Sequence, residues 1–538
     1  MAINDLYTDG IAAGWDVRNA ATFTAAQTLE ADVVIVGTGA GGGTTAEILS
    51  AAGLKVLMIE EGPLKTAADF KDMNEARAYA DLYQEATARA TADGSIAILQ
   101  GRAVGGTTTV NWTSSFRTPP ETLKHWAAVH GVQGWSEQES KSWFDNRTER
   151  LGIAPWAAPP NANNAVLQRA CEKLGWEHHV IPRNVRGCWN SGYCGYGCPV
   201  NAKQSMLVST IPEALKTKAT LVHHLSVREL KFTGDQVIEL RAVAMDAQCI
   251  KANGVTVTVR AKHFVLAGGA INNPALLLRS KAPDPHARVG KRTFLHPVVL
   301  TYAVMPEAID GWYGAPQSIA SDEFQWKGDF SQSPGFKLEV PPINPVLTAA
   351  LFGRIGGELA DGLANMKNMN AMLALVRDGF HEQSQGGEVS IDDAGNPVLD
   401  YALTDYLFAG FKQALLRMTE AQFAAGAVRV IPAHLDGAWA TSWAQAKPQI
   451  EALAYKKFRL AIATAHIMGG CAMGEDAKQS VARSDGSHHQ LANLSIIDGS
   501  VFPTSIGANP QLSIYALAAR NATALAERLV PRAAAVKV

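Results

Sequence analysis

Cysteine is scarce: six in 538 residues, which excludes a fold stapled together by disulfides. No run approaches the ~18 apolar residues of a membrane-spanning helix, so no transmembrane segment is expected. An excess of one charge sign is lacking too. With 48 Lys and Arg against 50 Asp and Glu, the formal charge is −2 at pH 7, leaving no basic surface for nucleic acid or an anionic membrane. The opening stretch MAINDLYTDGIAAGWDVRNAATF has neither a basic segment nor a continuous apolar one. It does not read as a secretion signal, so a cytoplasmic protein is expected, unless a partner subunit carries an export signal. Repeats are absent, and low complexity is limited to the Ala-rich tail RAAAVKV.

What is abundant is glycine, 47 residues against a typical ~7%, as close backbone approaches to a large ligand would require. The chain is long enough for two domains or one large elaborated one. Its first strong signal is ADVVIVGTGAGGGTTAEILSAAGLKVLMIEEGP. Val33 to Val36 read as a buried strand, Gly37-x-Gly39-x-x-Gly42 opens a helix to about Ala52, and KVLMIE reads as a parallel strand ending at Glu60. Glycine serves the turn at Gly37, close approach to a pyrophosphate at Gly39, and helix-on-strand packing at Gly42. Glu60 stands where an acid would accept hydrogen bonds from ribose hydroxyls. NAD and FAD both use this turn, so the pattern predicts a dinucleotide without choosing between them.

The segment GRAVGGTTTVNWTSSFRTP, residues 101–119, resembles a block of the glucose-methanol-choline family of FAD oxidoreductases. Gly101, Arg102, Gly105, Gly106, Thr107, Thr108 and Asn111 match it. The resemblance implies FAD, with this loop along the flavin and pyrophosphate. Val110 stands where some members attach flavin through a histidine, so non-covalent FAD is expected. HFVLAGGAINNPALLLRS (263–280) is similar to a second family block, with Asn273 in place of Ser or Thr, and VGKRTFLHP (289–297) to a third.

TAHIMGGCAMG (464–474) and NLSIIDGSVFPTSIGANPQLSIYALAARNATALAERL (493–529) resemble the family's terminal blocks. Carried over residue by residue, the catalytic pair is His466 and Asn509, and Asp498 and Pro510 lie at the cofactor. Asn509-Pro510 also reads as a helix N-cap with proline at N1, and Asp498 as an ordinary capping Asp. The implied reaction oxidises an alcohol to an aldehyde or ketone. Hydride passes to flavin N5, His466 accepts the hydroxyl proton, and the Asn509 amide donates to the same oxygen.

GCWNSGYCGYGCPVNAK (187–203) places Cys188, Cys194 and Cys198 within eleven positions. Within the family it looks most like the branch of long-chain or bulky alcohol oxidases and dehydrogenases. It is also similar to dehydrogenase catalytic subunits in which such spacing holds a 3Fe-4S cluster that feeds a cytochrome subunit. Three readings stay open: cluster ligands, packing thiols, or one disulfide. The electron acceptor stays open among oxygen, a quinone and a cytochrome, and a flavin-bearing non-redox lyase is a further alternative.

The expected fold is α/β: a Rossmann-like FAD-binding domain, a doubly wound parallel sheet plus a β-meander, interleaved with an α+β substrate-binding domain. The blocks assign 28–120, 203–302 and 456–530 to the first, and 121–202 and 303–455 to the second. LSVRELKFTGDQVIELRAVAMD and GVTVTVRAKHFVLAGG supply the meander. GGEVSIDDAGNPVLDYAL predicts a hairpin and DYLFAGFKQALLRMTEAQFAAGA an amphipathic helix in the substrate domain.

Overall fold

The computed structural model describes residues 5–530; the Ala-rich tail lies outside them. An eight-stranded sheet runs in the order Asp16–Asn19, Thr220–His223, Val56–Ile59, Gln27–Val36, Ala252–Leu266, Gln236–Met245, Leu225–Thr233, with Leu494–Ile496 added beside the end of Ala252–Leu266. The first five strands pair in parallel. Their central residues, Val33 to Ile35, Val56 to Ile59 and Phe264 to Leu266, are all buried, as strands covered on both faces must be. Between Gln27–Val36 and Val56–Ile59 the chain crosses over through the helix Ala40–Ala51, the βαβ unit the glycine pattern predicts.

Ala252–Leu266 has 15 residues and does two jobs. Its first half pairs antiparallel with Gln236–Met245, completing the predicted meander. Its second half is a parallel strand between Gln27–Val36 and Leu494–Ile496. The long terminal helix Gln511–Leu529 packs on the helix Ala40–Ala51 and closes this layer.

A second sheet orders Ala97–Ile98, Ala463–Thr464, Val298–Val304, Met369–Val376, Phe336–Glu339, Ile319–Ser321 and His179–Val180, with Arg429–Pro432 also on Val298–Val304. The helix Asp405–Ala424 packs on its two central strands. That helix starts because the Thr404 side chain accepts from Leu407 N–H, satisfying a first-turn donor, and the chain turns away at Gly426, φ 100°. It buries Leu407, Phe411, Leu415 and Met418 at helical spacing; truncating Phe411 to Ala would cost about 3–5 kcal/mol. Val298–Val304 belongs wholly to this sheet, so the chain passes from one sheet to the other before residue 302.

The hairpin Gly387–Ile391/Pro397–Tyr401 forms as read, but it joins neither large sheet. It pairs with Lys291–Leu295, which pairs with Ile467–Gly469, in a four-stranded sheet. That small sheet fixes the strand that precedes His296 and the strand that follows His466.

Candidate active site

A cavity of about 740 Å³ starts at the first glycine turn, passes His466 and Asn509, and ends against the second sheet. Gly37 takes φ 96°, a left-handed conformation, and a Cβ there would strike Ala267 O at 2.4 Å. A Cβ at Gly42 would lie 1.9 Å from Gly37 O, the close packing its position predicts. Gly41 is as constrained, since a Cβ would meet Ile497 O at 1.9 Å; it sits in the same glycine run but outside the Gly37-x-Gly39-x-x-Gly42 pattern. Gly39 differs: a Cβ would find nothing nearer than Gly106 Cα at 3.8 Å and would stand in the cavity.

The helix Ala40–Ala51 begins there with no side-chain cap, and its first residues Ala40 and Gly41 line the cavity. Uncapped N–H groups and the helix dipole favour an anion at that place. Arg102 also lines this end, 3.5 Å from Glu61. Glu60 is 6% exposed and takes hydrogen bonds from Thr38 N–H, Thr38 Oγ1 and Gly62 N–H. Burial pushes its carboxyl up to about 7, against the pull of those hydrogen bonds. Thr38 Oγ1 also accepts from Gly105 N–H at 3.0 Å, which joins the two glycine loops across the cavity wall. Thr107 Oγ1 accepts from Gly101 N–H, and a Cβ at Gly106 would meet Gly39 Cα at 2.7 Å. These residues fit FAD: uncapped N–H groups and a cation for the pyrophosphate, an acid nearby, and a glycine-lined face open to a planar ring.

Asn111 Nδ2 donates to Gln511 Oε1 at 2.7 Å, and its carbonyl accepts from Lys203 Nζ at 2.9 Å. Its side chain thus ties the second loop to the terminal helix. Asp498 is 5% exposed and is a capping residue in fact: its oxygens accept from Gly269 N–H, Ser500 N–H and Asn273 Nδ2. Asn273, where the family pattern has Ser or Thr, supplies that third hydrogen bond. Burial raises the Asp498 carboxyl despite these donors.

His466 projects from the link between Ala463–Thr464 and Ile467–Gly469 and is half-buried, open to the cavity. Removal from bulk water pushes its imidazole down to about 4, so it is neutral at pH 7. Its Nδ1 lies 3.1 Å from Nδ1 of His296, a fully buried ring in the VGKRTFLHP block. Gly507 N–H in turn donates to His296 Nε2 at 3.1 Å. An accepting Nε2 assigns the His296 proton to Nδ1, which then donates to His466 and leaves the His466 proton on Nε2.

The capping role read for Asn509 is corrected by the structure. The helix Gln511–Leu529 has Pro510 at its N-cap and no side-chain cap, because the Asn509 side chain is engaged elsewhere: Nδ2 donates to Glu339 Oε2 at 3.2 Å. Both Asn509 and Pro510 line the cavity.

Beyond the pair the cavity wall is mostly apolar, with Tyr302 and Thr348 as polar members. Val298, Leu300 and Tyr302 alternate along one strand and stand directly opposite Leu375, Leu373 and Ala371 on the next. All six face the cavity, since every second residue of a strand shares a side. Leu347 and Leu351 of the helix Pro345–Leu351 line the opposite wall.

The disulfide reading of the cysteine loop does not fit the structure, and no observation supports the cluster reading. All six cysteines are free thiols, and among the described residues no group of three or more His, Cys, Asp or Glu is placed to hold a metal ion. Each sulfur accepts a hydrogen bond from its own surroundings: Cys188 from Asn190 N–H at 3.4 Å, Cys194 from Arg183 Nη2 at 3.6 Å, Cys198 from Lys203 N–H at 3.4 Å. Buried Lys203 joins the loop to the cavity wall by donating to Cys194 O at 2.7 Å and to Asn111 O. Among the described residues no helix is long and apolar enough to cross a membrane.

A dinucleotide cradle joined to a histidine-bearing apolar chamber defines a flavin oxidoreductase, and the comparisons with known proteins agree. Two GMC oxidoreductase family models match residues 79–298 and 383–518, so the chain belongs to the GMC oxidoreductase family. Long-chain-alcohol oxidase FAO4B of Arabidopsis thaliana is 28% identical over 508 residues, covering 91% of this chain and 66% of that protein. The chain thus spans about two thirds of that relative's length. Among solved structures, pyridoxine 4-oxidase from Mesorbium loti superposes with TM-score 0.65 at 19% identity, covering 91% of this chain and 98% of that one. An FAD-dependent oxidoreductase from Chaetomium thermophilum superposes with TM-score 0.66 at 15% identity, covering 94% and 100%.

Proposed function

We propose that this chain is an FAD-dependent alcohol oxidase that converts the CH–OH of an apolar alcohol to an aldehyde or ketone, with oxygen as the final electron acceptor. The observation that carries this reading is the continuity of one cavity from the glycine cradle past His466 and Asn509 to the cross-strand apolar floor. The similarity to a long-chain-alcohol oxidase of Arabidopsis supports both an apolar alcohol and an oxidase. Arg102, the uncapped helix end at Gly39 and Glu60 hold the cofactor, non-covalently because Val110 offers no attachment atom. Bound there, FAD supplies the hydride acceptor.

His466 and Asn509 meet the hydroxyl. The second Nδ2 hydrogen of Asn509 donates to the hydroxyl oxygen, and His466 Nε2 takes its proton. That step needs the histidine pair in the inverted proton order, His466 Nδ1–H donating to His296 and His296 Nε2–H turned toward Gly507. Inversion orphans the Gly507 amide, about 1–3 kcal/mol, a small part of the ~8–23 kcal/mol by which enzymes lower barriers. The floor formed by Leu300, Leu373 and their neighbours holds the alkyl chain and excludes water.

The test is a series of primary alcohols of rising chain length, with peroxide and aldehyde measured together. kcat/KM should rise up to about fourfold per added CH₂, as ~0.8 kcal/mol of burial predicts, with one peroxide per aldehyde. A preference for short polar alcohols, or aldehyde without peroxide, would contradict the reading.

A further inference from the structure

Glu339 ends the strand Phe336–Glu339 and is wholly buried. A buried carboxylate needs a cation or a proton. The cation on its own strand is already committed, for Lys337 Nζ binds Asp322 at 2.7 Å. The neighbouring strands place Ala320 and Leu373 beside Glu339, and neither is charged. What faces it is Asn509, whose Nδ2 donates to Oε2 at 3.2 Å.

The other oxygen of each group completes the picture. Glu339 Oε1 and Asn509 Oδ1 are both buried, and neither has a hydrogen-bond partner among the described residues. In an ionised pair these would be two orphaned acceptors on adjoining side chains, each costing its full desolvation. A single hydrogen between them satisfies both.

We propose that Glu339 is a neutral carboxylic acid whose Oε1–H donates to Asn509 Oδ1, closing a ring of two hydrogen bonds, and that it is the positioning residue that aims the second Nδ2 hydrogen of Asn509 at the cavity. Its protonation rests on the geometry of this chain alone, whereas its part in positioning rests on the alcohol-oxidation reading. Burial pushes the Glu339 carboxyl up to about 7, while Lys337 and the Asn509 hydrogen bond pull it down and Asp322 pushes it up. On the acid side of that value the ring is closed. Above it the proton leaves, two oxygens repel each other, and the amide loses its fixed direction. A neutral acid suits the place: it orients the donor without setting a negative charge beside an oxygen that itself becomes negative.

Two substitutions and an infrared titration test this. In Glu339→Gln the side-chain oxygen accepts from Asn509 Nδ2 and the new amide N–H donates to Oδ1, so the ring survives; Glu339→Leu removes it. The parent should show the C=O stretch of a protonated carboxylic acid that is missing from Glu339→Gln and disappears as pH rises through about 7. This readout needs no substrate. With an alcohol that the parent oxidises, Glu339→Gln should keep kcat/KM within about threefold and lose the alkaline fall, while Glu339→Leu should lose about tenfold or more, chiefly in kcat. A protein without such a band at any pH, or a Glu339→Gln as impaired as Glu339→Leu, would overturn the proposal. If the band titrates as stated but no alcohol reduces the flavin, the proposed function fails and the positioning role with it, while the protonated state stands.

Discussion

Gly507 donates its amide N–H to His296 Nε2 at 3.1 Å, and this one hydrogen bond sets the proton order of the histidine pair. His296 is thereby a donor toward His466, and His466 rests with its proton on the cavity side. In the inverted order that the reaction needs, His296 accepts from His466 Nδ1–H, so replacing it should slow the chemistry without emptying the flavin site. His296→Leu is expected to lower kcat about tenfold or more at unchanged flavin absorbance, and His296→Gln, whose amide oxygen can accept from His466 Nδ1–H, to recover part of the loss. Equal rates in the parent and His296→Leu would remove the pair from the mechanism.

Burial holds the His466 imidazole near 4 instead of the usual 6.5. Its neutral form, the one able to take a proton, therefore persists well below the pH at which free histidine protonates. The acid limb of kcat/KM should have its midpoint near 4 and be absent from His466 variants that retain residual activity. The same shift acts on stability: the folded chain binds fewer protons here than the unfolded chain between those two values, so this contribution is present above 6.5 and is lost as pH falls through about 4. An acid limb centred near 6.5 would contradict the burial described.

The apolar floor predicts a selective defect. Leu373 stands opposite Leu300 in the middle of the three cross-strand pairs, where a long alkyl chain reaches and a short one does not. Leu373→Asn should lower kcat/KM for long alcohols by about tenfold and leave short alcohols near the parental value, because a polar amide then stands where the alkyl chain packs. A uniform loss across the series would place the alkyl chain elsewhere.

For the cysteine loop the expected result is chemical. Protein purified without oxygen should carry well under about one iron per chain and no matching acid-labile sulfide. Cys194→Ser, which can still accept from Arg183, should keep alcohol-dependent flavin reduction close to that of the parent. Stoichiometric iron and sulfide would restore the cluster.

The parallel sheet, its crossover helix and the meander were legible because their signals are local: β-branched runs, a glycine turn, alternation. The hairpin at 387–401 was legible as a hairpin but not as part of the small sheet, since its partners Lys291–Leu295 and Ile467–Gly469 come from distant segments. Val298–Val304 and Met369–Val376 are buried on both faces and carry one polar residue each, Thr301 and Asn370, apart from Tyr302, so no alternation marked which side chains face a cavity. Asn509 read as a cap because Asn-Pro before an apolar helix satisfies every local preference for one. What holds its side chain, Glu339, lies 170 residues earlier, and nothing around Glu339 in the sequence distinguishes it from a solvated acid. His296 sat inside a recognised block, yet its role needed the Gly507 amide to be in view. The cysteine spacing carried the opposite lesson: three thiols within eleven positions suggested a ligand set, and the folded loop gives each sulfur a different donor.

The most direct test of the central claim is anaerobic mixing of the yellow holoprotein with a long-chain primary alcohol, followed at the flavin absorbance, in parent and His466→Ala. The account predicts full bleaching by the parent with one aldehyde formed per flavin, and bleaching slower by about a hundredfold or more in His466→Ala. A parent whose flavin stays oxidised under every apolar alcohol, or a His466→Ala that bleaches as fast as the parent, would contradict it.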